Sequence, residues 1–558
     1  MRQRYLSFAL LAMLIAFTAT AFALDGDPRI HDPSTVTVDN GKYYTYGTGG
    51  SPLVSDDGWT WRRGTVPSRT GAAPDVIHLG DKYFMYIARG YAQPKADIFM
   101  IWSKSLDPNS PDYKWNDGGI VASSDGVEDS NAIDPGVFLD PTTGRLWLVD
   151  GSYFGYIRLV ELNPKTGMAK DPKVKPINLA INCEASDMFY HDGWYYLLAT
   201  HGSCCAGASS GYNIRMGRSR HVTGPFLDAE GVDMIQGGGT QLIGSQGRLI
   251  GPGHFGLLDL GDGIQRFSMH WEADLDRGGA SVLDIRPLLW KDGWPVAGEN
   301  PKEGTYEIQS VRTATALEMG VAGVPVGGGR MRAGPGLGPM GGGGAGRPSG
   351  ARPANGTGGA AAAPGTGGPG GAGPGAGGPS GARPGNGTGP ANAGGPGGPG
   401  GQARPGGGFG GGGGLFGGTG SPIADQTAAQ AQANWPAGVV KAAMNNYLCE
   451  AQQKWQLTAA PNAGGYPGAP YFKITIAGTD RALAATAENE LAVMPSFTNA
   501  PEQLWRLDQL ADGSFRIMPK SSTDPKNAMA LSAIGASFPT LEKFDPKSDR
   551  QHWLLKTP

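Results

Sequence analysis

Aromatic strand-like segments recur through the first half of the chain, and this repeat restricts the fold more than any other feature. Each segment follows a turn residue and alternates aromatic residues with aliphatic or polar ones. The copies occupy residues 41–46, 81–86, 144–149, 193–198 and, in a weaker form, 265–270. No stretch of residues 25–300 keeps the apolar period of a helix. Five copies, each taken as part of a sheet of about four strands, predict an all-β five-bladed β-propeller over residues 24–300.

A second repeat lies nearer the C-terminus. Gln-x-Trp triplets occur at residues 453–455, 503–505 and 551–553, and each follows an Ala-Leu pair and a short aromatic strand. These units resemble the ricin-type β-trefoil, in which the three Trp residues pack a shared core. The resemblance implies a trefoil over residues 301–320 and 436–558 and makes this domain a candidate carbohydrate-binding module.

One segment has an unusual composition. The chain has 558 residues with 94 glycines and 44 prolines, and residues 321–420 hold 46 of these glycines and 14 of these prolines. This segment cannot bury enough apolar surface to offset its chain entropy, and its glycines keep no collagen period. The composition predicts a disordered insertion over residues 321–435, inside the first unit of the trefoil. Closing a long surface loop costs little, because the entropy grows only logarithmically with length.

The N-terminus and the charge indicate where the protein works. Residues 1–23 have a basic start, an apolar run too short for a membrane anchor and an Ala-Phe-Ala cleavage pattern, which predict a signal peptide and a secreted or periplasmic protein that is not inserted in a membrane. The formal net charge is −3, and the basic residues of residues 1–23 and 321–420 make the remainder more acidic. An acidic surface argues against nucleic acid as a partner and is compatible with a neutral substrate.

The chain has four cysteines, too few for a disulfide framework: Cys183, Cys204, Cys205 and Cys449. Cys183 could pair with Cys204 or Cys205 in an oxidising compartment, or it could be a buried thiol. The spacing does not match a zinc site.

Three carboxyl residues each stand ahead of a predicted blade strand. Asp32 lies in His-Asp-Pro-Ser, Asp134 in Ile-Asp-Pro-Gly and Glu184 in Cys-Glu-Ala-Ser. A single Asp before Pro is usually a turn residue. Three carboxyls that each precede a blade strand instead converge on the propeller axis, where a catalytic centre is expected.

These segments resemble the motifs of glycoside hydrolase family 43, specifically its arabinanase-like members. The resemblance covers residues 28–297 and includes residues 131–136, 151–155, 183–186, 204–207, 217–219, 223–226, 251–254 and 292–295. It implies an inverting glycosidase that cleaves α-L-arabinofuranosyl linkages of plant cell-wall polysaccharide, arabinan or another arabinose-containing glycan. Asp32 would be the general base, Glu184 the general acid and Asp134 the residue that tunes the pKa of Glu184. An inverting pair is expected to stand roughly 6.5–9.5 Å apart.

The resemblance also implies binding residues. Asn131, Tyr153 and Phe154 would bind substrate, and no organic cofactor is implied. His254 matches a position near an axial calcium ion in such families, although a hydrogen-bonded structural histidine is the alternative. In the trefoil, Glu318 stands where ricin-type sites carry an acidic residue.

Several residues depart from these patterns. Tyr156 and Phe255 replace residues that are smaller or polar in arabinanase-like members, so endo-action on 1,5-linked arabinan is less secure than hydrolysis of arabinose-containing glycans. Ala484 and Ser532 replace the trefoil acid, so at most one unit is equipped for sugar, and a purely structural trefoil is the alternative. A β-xylosidase or galactan-directed enzyme, or a carbohydrate-binding protein without activity, are further alternatives. The presence of all three carboxyls argues against the last.

Overall fold

The computed structural model describes residues 24–90, 93–127, 130–321, 435–522 and 527–558. These residues form β-strands and short 3-10 helices, without an α-helix in any of the described ranges. The predicted signal peptide and nearly all of the predicted insertion lie outside the described residues. All described residues belong to one compact unit that holds both the propeller and the C-terminal region.

Five antiparallel sheets of four strands follow one another along the chain, and the first sheet has an additional parallel strand, β1, at its edge beside β5. The prediction of a five-bladed propeller is confirmed. The first blade consists of β1 (Asp25–Gly26), β2 (Thr37–Asp39), β3 (Lys42–Gly47), β4 (Ser51–Ser55) and β5 (Thr60–Arg63), and the second of β6 (Ala72–Leu79), β7 (Lys82–Arg89), β8 (Lys95–Ser103) and β9 (Asn116–Asp125). The third blade consists of β10 (Gly136–Leu139), β11 (Leu146–Asp150), β12 (Tyr156–Leu162) and β13 (Ile177–Ile181), and the fourth of β14 (Glu184–His191), β15 (Trp194–His201), β16 (Asn213–Ser219) and β17 (Thr240–Ile243). The fifth blade consists of β18 (Ile250–Asp259), β19 (Gln265–Ala273), β20 (Ala280–Lys291) and β21 (Trp294–Ala297).

The aromatic strands supply the apolar layers between blades. Successive side chains of a strand point to opposite faces of its sheet. In β7, Tyr83 and Met85 therefore pack against the first blade, and Phe84 and Tyr86 pack against the third. Each pair of neighbouring blades shares one such buried cluster. The recurring aromatic pattern is thus explained by strands that are buried on both faces.

The ring closes between the first and last blades. The backbone N–H of Ile30 donates to the carbonyl of Ser281 at 3.0 Å, and that of Leu283 donates to the carbonyl of Pro28 at 2.8 Å. Trp61 of the first blade and Leu283 of the last pack in one buried cluster. This closure brings residues 28–32 against the fifth blade, more than 200 positions away in the chain.

The C-terminal region is also built from strands. Its strand bounds are β22 (Gly304–Ser310), β23 (Ala316–Met319), β24 (Val440–Asn445), β25 (Trp455–Ala459), β26 (Gly465–Tyr466), β27 (Ala469–Pro470), β28 (Phe472–Ile476), β29 (Ala482–Ala485), β30 (Leu491–Met494), β31 (Trp505–Gln509), β32 (Phe515–Pro519), β33 (Met529–Ser532), β34 (Thr540–Lys543) and β35 (Trp553–Lys556). The 3-10 helices of the described residues are Gly207–Ser209, Met234–Gln236, Leu275–Arg277, Ala451–Gln453, Pro501–Gln503, Lys520–Ser522 and Asp549–Gln551.

The Gln-x-Trp units repeat one local geometry. Trp455, Trp505 and Trp553 are fully buried in one apolar cluster. Their Nε1–H groups donate to the carbonyls of the leucines in the preceding Ala-Leu pairs, at 2.8, 3.0 and 2.9 Å. The three glutamines are also buried, and each amide both accepts from and donates to the backbone a few residues before it. Each unit is therefore held by a buried Trp side chain and by a buried Gln amide whose oxygen and nitrogen both have backbone hydrogen-bond partners.

Five buried charges join this region to the propeller. Arg266 Nη2 donates to Asp508 Oδ1 at 2.7 Å, and Arg506 Nη2 donates to Asp262 Oδ2 at 2.5 Å. Arg516 Nε donates to Asp508 Oδ2 at 2.7 Å. Burial would favour a neutral Asp508, but the three guanidinium groups hold its pKa far below the usual range. Since Asp262 and Arg266 belong to the fifth blade, this network fixes the C-terminal region against it.

Candidate active site

The three carboxyl residues predicted from sequence stand at the inner edges of three blades. Asp32 lies in the segment before β2, Asp134 lies just before β10, and Glu184 is the first residue of β14. The first strands of neighbouring blades contact one another around the axis. The propeller therefore directs residues from distant parts of the chain to one place.

A strained backbone position marks the inner edge of every blade. At each one a non-glycine residue has φ between 42° and 62°: Asp32, Ala73, Asp134, Ala185 and His254. Left-handed backbone costs a non-glycine residue roughly 1–3 kcal/mol and concentrates at functional sites. Two of these positions carry predicted catalytic carboxyls, and a third follows Glu184 directly. At these five positions the left-handed backbone coincides with the inner blade edges from which the candidate catalytic groups project.

Asp32 is surrounded by groups that favour its ionised form. Thr48 Oγ1 donates to Asp32 Oδ2 at 2.7 Å, and His254 Nδ1 and His31 Nε2 lie 3.4 and 3.5 Å from Asp32 Oδ1. Burial would raise the pKa of Asp32. The hydrogen bond and charge of His254, followed by the charge of His31, outweigh burial and hold that pKa far below the usual range. Asp32 is therefore a carboxylate.

Two histidines near Asp32 have opposite electrostatic character. Burial lowers the pKa of His254, but contact with Asp32 outweighs burial and raises it above the usual value. His270 Nδ1 accepts the backbone N–H of Asp32 at 3.1 Å, so it has no proton to share with Asp32 Oδ1, which lies 3.8 Å away. Burial lowers the pKa of His270 to about 3. His254 is thus the cationic partner of Asp32, and His270 is a neutral acceptor.

Glu184 has the opposite environment to Asp32. Tyr212 donates its O–H to Glu184 Oε1. Burial raises the pKa of Glu184; the hydrogen bond from Tyr212 opposes this rise, and the negative charge of Asp32 adds to it. Glu184 is therefore favoured in its protonated form, while Asp32 is favoured in its ionised form.

Asp134 supports the backbone beside Glu184. Its Oδ2 accepts the backbone N–H of Ala185 at 3.2 Å. Burial, followed by the charge of Glu184, raises the pKa of Asp134 well above its usual value. Since the carboxyl groups of Asp134 and Glu184 interact, a negative charge on one disfavours ionisation of the other.

The predicted substrate-binding residues separate into two kinds. Tyr153 and Phe154, in the turn between β11 and β12, are exposed by 42% and 49%. Asn131 is fully buried: its Nδ2 donates to the carbonyl of Gln93 at 2.7 Å, and its Oδ1 accepts from Ser152 Oγ at 2.6 Å. The two aromatic side chains are thus accessible to a ligand, whereas Asn131 supports the turn that carries them.

Sequence reasoning missed four residues that contact the carboxyls: His31, Thr48, Tyr212 and His270. His31 stands next to Asp32 in the chain, and this adjacency was the one available signal. Thr48 and Tyr212 lie in connections between strands without a distinctive motif. His270 lies on the strand that carries the least regular copy of the aromatic pattern, and it contacts Asp32 only because the ring of blades closes.

Comparison with known proteins identifies the first half of the chain. Residues 28–295 match the model of the family described as Glycosyl hydrolases family 43. The extracellular exo-α-(1→5)-L-arabinofuranosidase ArbA of Cellvibrio japonicus is 32% identical over 304 residues, which cover 48% of this chain and 86% of that protein. The chain belongs to glycosyl hydrolase family 43. Its first half is therefore the propeller of a family 43 glycosidase.

Further relatives are similar over the same half. The extracellular endo-α-(1→5)-L-arabinanase 1 of Bacillus subtilis is 31% identical over 326 residues, covering 52% of this chain and 97% of that protein. Among solved structures, an α-L-arabinanase of Cellvibrio cellulosa complexed with arabinohexaose is 30% identical, with a TM-score of 0.45, and covers 48% of this chain and 95% of that one. Within the described residues of this family 43 protein, no helix has the length and apolar character needed to span a bilayer.

Within the part of the chain that the structure describes, His254 does not lie in a cluster of charged metal-ligating side chains. Calcium binds six to eight oxygen atoms in proteins. Among the described residues, His254 belongs to no group of at least three His, Cys, Asp or Glu side chains whose ligand atoms lie within 4.8 Å of one another. Its Nδ1 faces a single carboxylate, Asp32.

The cysteines differ from the predicted pairing. Cys204 is bonded to its neighbour Cys205, so the alternative in which Cys183 pairs with either of them is not observed. Cys183 is instead a buried free thiol in the apolar cluster between the third and fourth blades, and Cys449 is an exposed free thiol. The alternative of a buried thiol at Cys183 is the one observed.

Glu318, the candidate lectin residue, is buried and fully paired. Asn445 Nδ2 donates to Glu318 Oε1 at 3.1 Å, and Gln453 Nε2 donates to Glu318 Oε2 at 2.9 Å. At the equivalent position of the third unit, Ser532 Oγ donates to Glu542 Oε2 at 2.8 Å. The first unit therefore differs from the third in the residue that supplies the carboxylate.

Proposed function

We propose that this family 43 protein is an exported glycosidase that hydrolyses α-1,5-linked arabinan with inversion at the anomeric carbon. One observation carries the proposal: two carboxyl groups of the same axial site have opposite environments. Imidazole groups favour the ionised form of Asp32, and burial favours the protonated form of Glu184. Inverting hydrolysis needs one carboxyl in each of these forms.

In the proposed reaction, Asp32 accepts a proton from a water molecule as the water oxygen bonds to the anomeric carbon. The bond from that carbon to the glycosidic oxygen breaks, and Glu184 transfers its proton to the departing oxygen. Water enters on the face opposite the leaving group, so the configuration at the anomeric carbon inverts. The products are a hemiacetal sugar and a shortened chain with a free hydroxyl group.

Asp134 and Tyr212 have positioning roles in this proposal. Asp134 accepts the backbone N–H next to Glu184, and because the two carboxyls interact, ionisation of one disfavours ionisation of the other. Tyr212 donates to one oxygen of Glu184, which leaves the second oxygen to carry the proton that is transferred. Asp134 and Tyr212 thus orient Glu184, which remains the proton donor.

The relatives support arabinan as the substrate. The Cellvibrio and Bacillus proteins are both named for α-(1→5)-L-arabinan linkages, one with exo and one with endo action. The exposed rings of Tyr153 and Phe154 offer an apolar surface on which a sugar ring can stack. We therefore assign substrate binding to these two residues.

Export and the C-terminal domain are part of the same proposal. Both relatives are named extracellular, which supports a signal peptide over residues 1–23. The repeated Trp and Gln geometry supports a ricin-type β-trefoil in which Glu318 marks the one sugar site. N-terminal sequencing of the exported protein should begin near Leu24. Binding to insoluble arabinan should be lost in the Glu318→Ala variant. Its melting temperature should also fall, because the amides of Asn445 and Gln453 lose a hydrogen-bond partner, so binding is measured on protein shown to be folded.

An activity screen tests the proposed reaction. Purified protein is assayed on linear arabinan, arabinoxylan, galactan and aryl glycosides, alongside Asp32→Asn and Glu184→Gln. We expect release of arabinose or arabino-oligosaccharides from linear arabinan by the wild type alone. Activity restricted to xylan or galactan, or equal activity in the Glu184→Gln variant, would overturn the assignment.

A further inference from the structure

A disulfide between adjacent residues lies beside the candidate base. Cys204 and Cys205 are joined within the connection between β15 and β16. Cys204 is half-buried and Cys205 is exposed. Both residues thus have part of their surface open to solvent.

The sulfur atoms contact the histidine that covers Asp32. His31 Nε2 lies 3.9 Å from the sulfur of Cys204 and 3.7 Å from that of Cys205, and the same nitrogen lies 3.5 Å from Asp32 Oδ1. His31 Nδ1 lies 3.0 Å from Ser281 Oγ, which donates to Glu272 and therefore accepts from the imidazole. The imidazole is fixed between the disulfide and the carboxylate.

The same connection reaches the candidate acid. Tyr212, at its far end, donates to Glu184. One short segment therefore contacts both sides of the proposed reaction centre, with sulfur on the side of the base and a phenol on the side of the acid.

Backbone and hydroxyl contacts hold this connection in place. The N–H of Ala208 donates to the carbonyl of Gly278 in the fifth blade at 2.8 Å. Ser210 Oγ donates to the carbonyl of Ser203 at 3.1 Å, and the N–H of Gly211 donates to Ser203 Oγ at 3.0 Å. A Cβ at Gly202 would meet the carbonyl oxygen of Gly211 at 2.1 Å. The disulfide is therefore presented on a closely packed support.

We propose that the Cys204–Cys205 disulfide is a sugar-contacting wall of the active site, against which the C–H face of the arabinofuranosyl ring packs beside Asp32. This inference rests on the proposed function. Bonded sulfur is polarisable and has no proton to donate, so it suits an apolar ring face. The bond between neighbours removes side-chain freedom before the sugar arrives, which lowers the entropic cost of binding.

Reduction of the wild-type enzyme and the Cys204→Ala/Cys205→Ala variant test this role. Steady-state kinetics are measured on linear arabino-oligosaccharides, with a chelator present because reduced Cys204 and Cys205 and His31 form a group with metal-ligand spacing. We expect KM to rise roughly tenfold with kcat within about twofold, as for loss of an apolar contact made equally in ground and transition states. The pH profile should not move.

Two controls isolate the disulfide. Reduction should leave the double variant unchanged, and the Cys449→Ser variant should respond to reduction as the wild type does. Melting temperatures confirm that each protein is folded, and the reduced wild type provides the test if the double variant does not fold.

Two results would overturn the inference. One is an unchanged KM in both the reduced enzyme and the variant. The other is a fall in kcat with a displaced pH profile at unchanged KM, which would assign the disulfide to support of Asp32. A wild-type enzyme without activity on arabinan would instead contradict the proposed function itself, so the two failures are distinguishable.

Discussion

The propeller axis and the Gln-x-Trp units are both repeats, but they use their polar side chains in opposite ways. In the three C-terminal units, each buried glutamine satisfies its amide with backbone groups, and each Trp Nε1–H has a carbonyl partner. At the axis, the pKa values of the partly buried Asp32 and Glu184 are displaced in opposite directions, and that of the buried Asp134 is raised. Identical, satisfied contacts thus mark the stabilising repeat and unequal charge marks the site of chemistry, whereas left-handed backbone at non-glycine residues occurs in both regions.

The largest expected effect concerns the axis. Asp32→Asn and Glu184→Gln each remove a proton-transfer group, and activity on linear arabinan should fall by roughly 10²–10⁴-fold. Both variants should melt close to the wild type. Asp140→Asn is the matched control: it also removes a buried carboxylate charge, in the outer turn of the third blade, and should retain activity. Equal losses in all three would mean that the axial carboxyls are structural.

The next effect concerns stability at the interface. Asp508→Asn leaves three buried guanidinium groups without their main partner and should lower the free energy of unfolding by about 3–5 kcal/mol. Asp549→Asn, which breaks an exposed pair with Arg312, should cost at most about 1 kcal/mol. Denaturant unfolding measures both. A loss of the same size in both variants would contradict the distinction between the buried charge network and the exposed ion pair.

The interface also predicts an acid-sensitive contribution to stability. The pKa of Asp508 is lower in the folded protein than in the unfolded chain, where it is about 3.9. Its stabilising contribution is therefore complete above that value and is lost as the pH falls below it. The difference in free energy of unfolding between wild type and Asp508→Asn should shrink as the pH is lowered from neutrality towards 2. A constant difference would contradict this assignment.

A smaller effect tests the repeated amides. Gln503→Ala removes the side-chain partners of the N–H of Thr498 and the carbonyl of Ser496, two exposed residues that water can reach, at a cost of about 1 kcal/mol. Activity should be unchanged, because this residue is remote from the carboxyls. Loss of activity without loss of stability would contradict the assignment of this glutamine to stability and of the axial carboxyls to catalysis.

The smallest expected effect is a shift of the pH profile. The hydrogen bond from Tyr212 lowers the pKa of Glu184, so Tyr212→Phe should raise it. The acid must be protonated, and kcat/KM falls as the pH rises through that pKa. The alkaline limb should therefore move to higher pH in the variant, while the acid limb, set by Asp32, stays in place. A shift to lower pH would show that Glu184 is not the acid.

Much of this arrangement was predictable from the sequence, for local reasons. The alternation in Tyr83-Phe84-Met85-Tyr86 indicated a strand buried on both faces, and the motifs around Asp32, Asp134 and Glu184 indicated the axis. The partners of these residues were not predictable, because closure of the ring sets them. His270 contacts Asp32 across 238 positions, and the bond between Cys204 and Cys205 joins two thiols whose spacing indicated nothing. The pairing of Asp262 with Arg506 likewise depends on contact between two repeats that are distant in the chain.

The configuration of the first product tests the central claim most directly. Proton NMR of arabino-oligosaccharide hydrolysis, recorded before mutarotation is complete, shows which anomer forms first. A single displacement between Asp32 and Glu184 predicts that the β-anomer appears first from the α-linked substrate. Initial formation of the α-anomer would require a covalent intermediate and would contradict the assignment of Asp32 as a base that activates water.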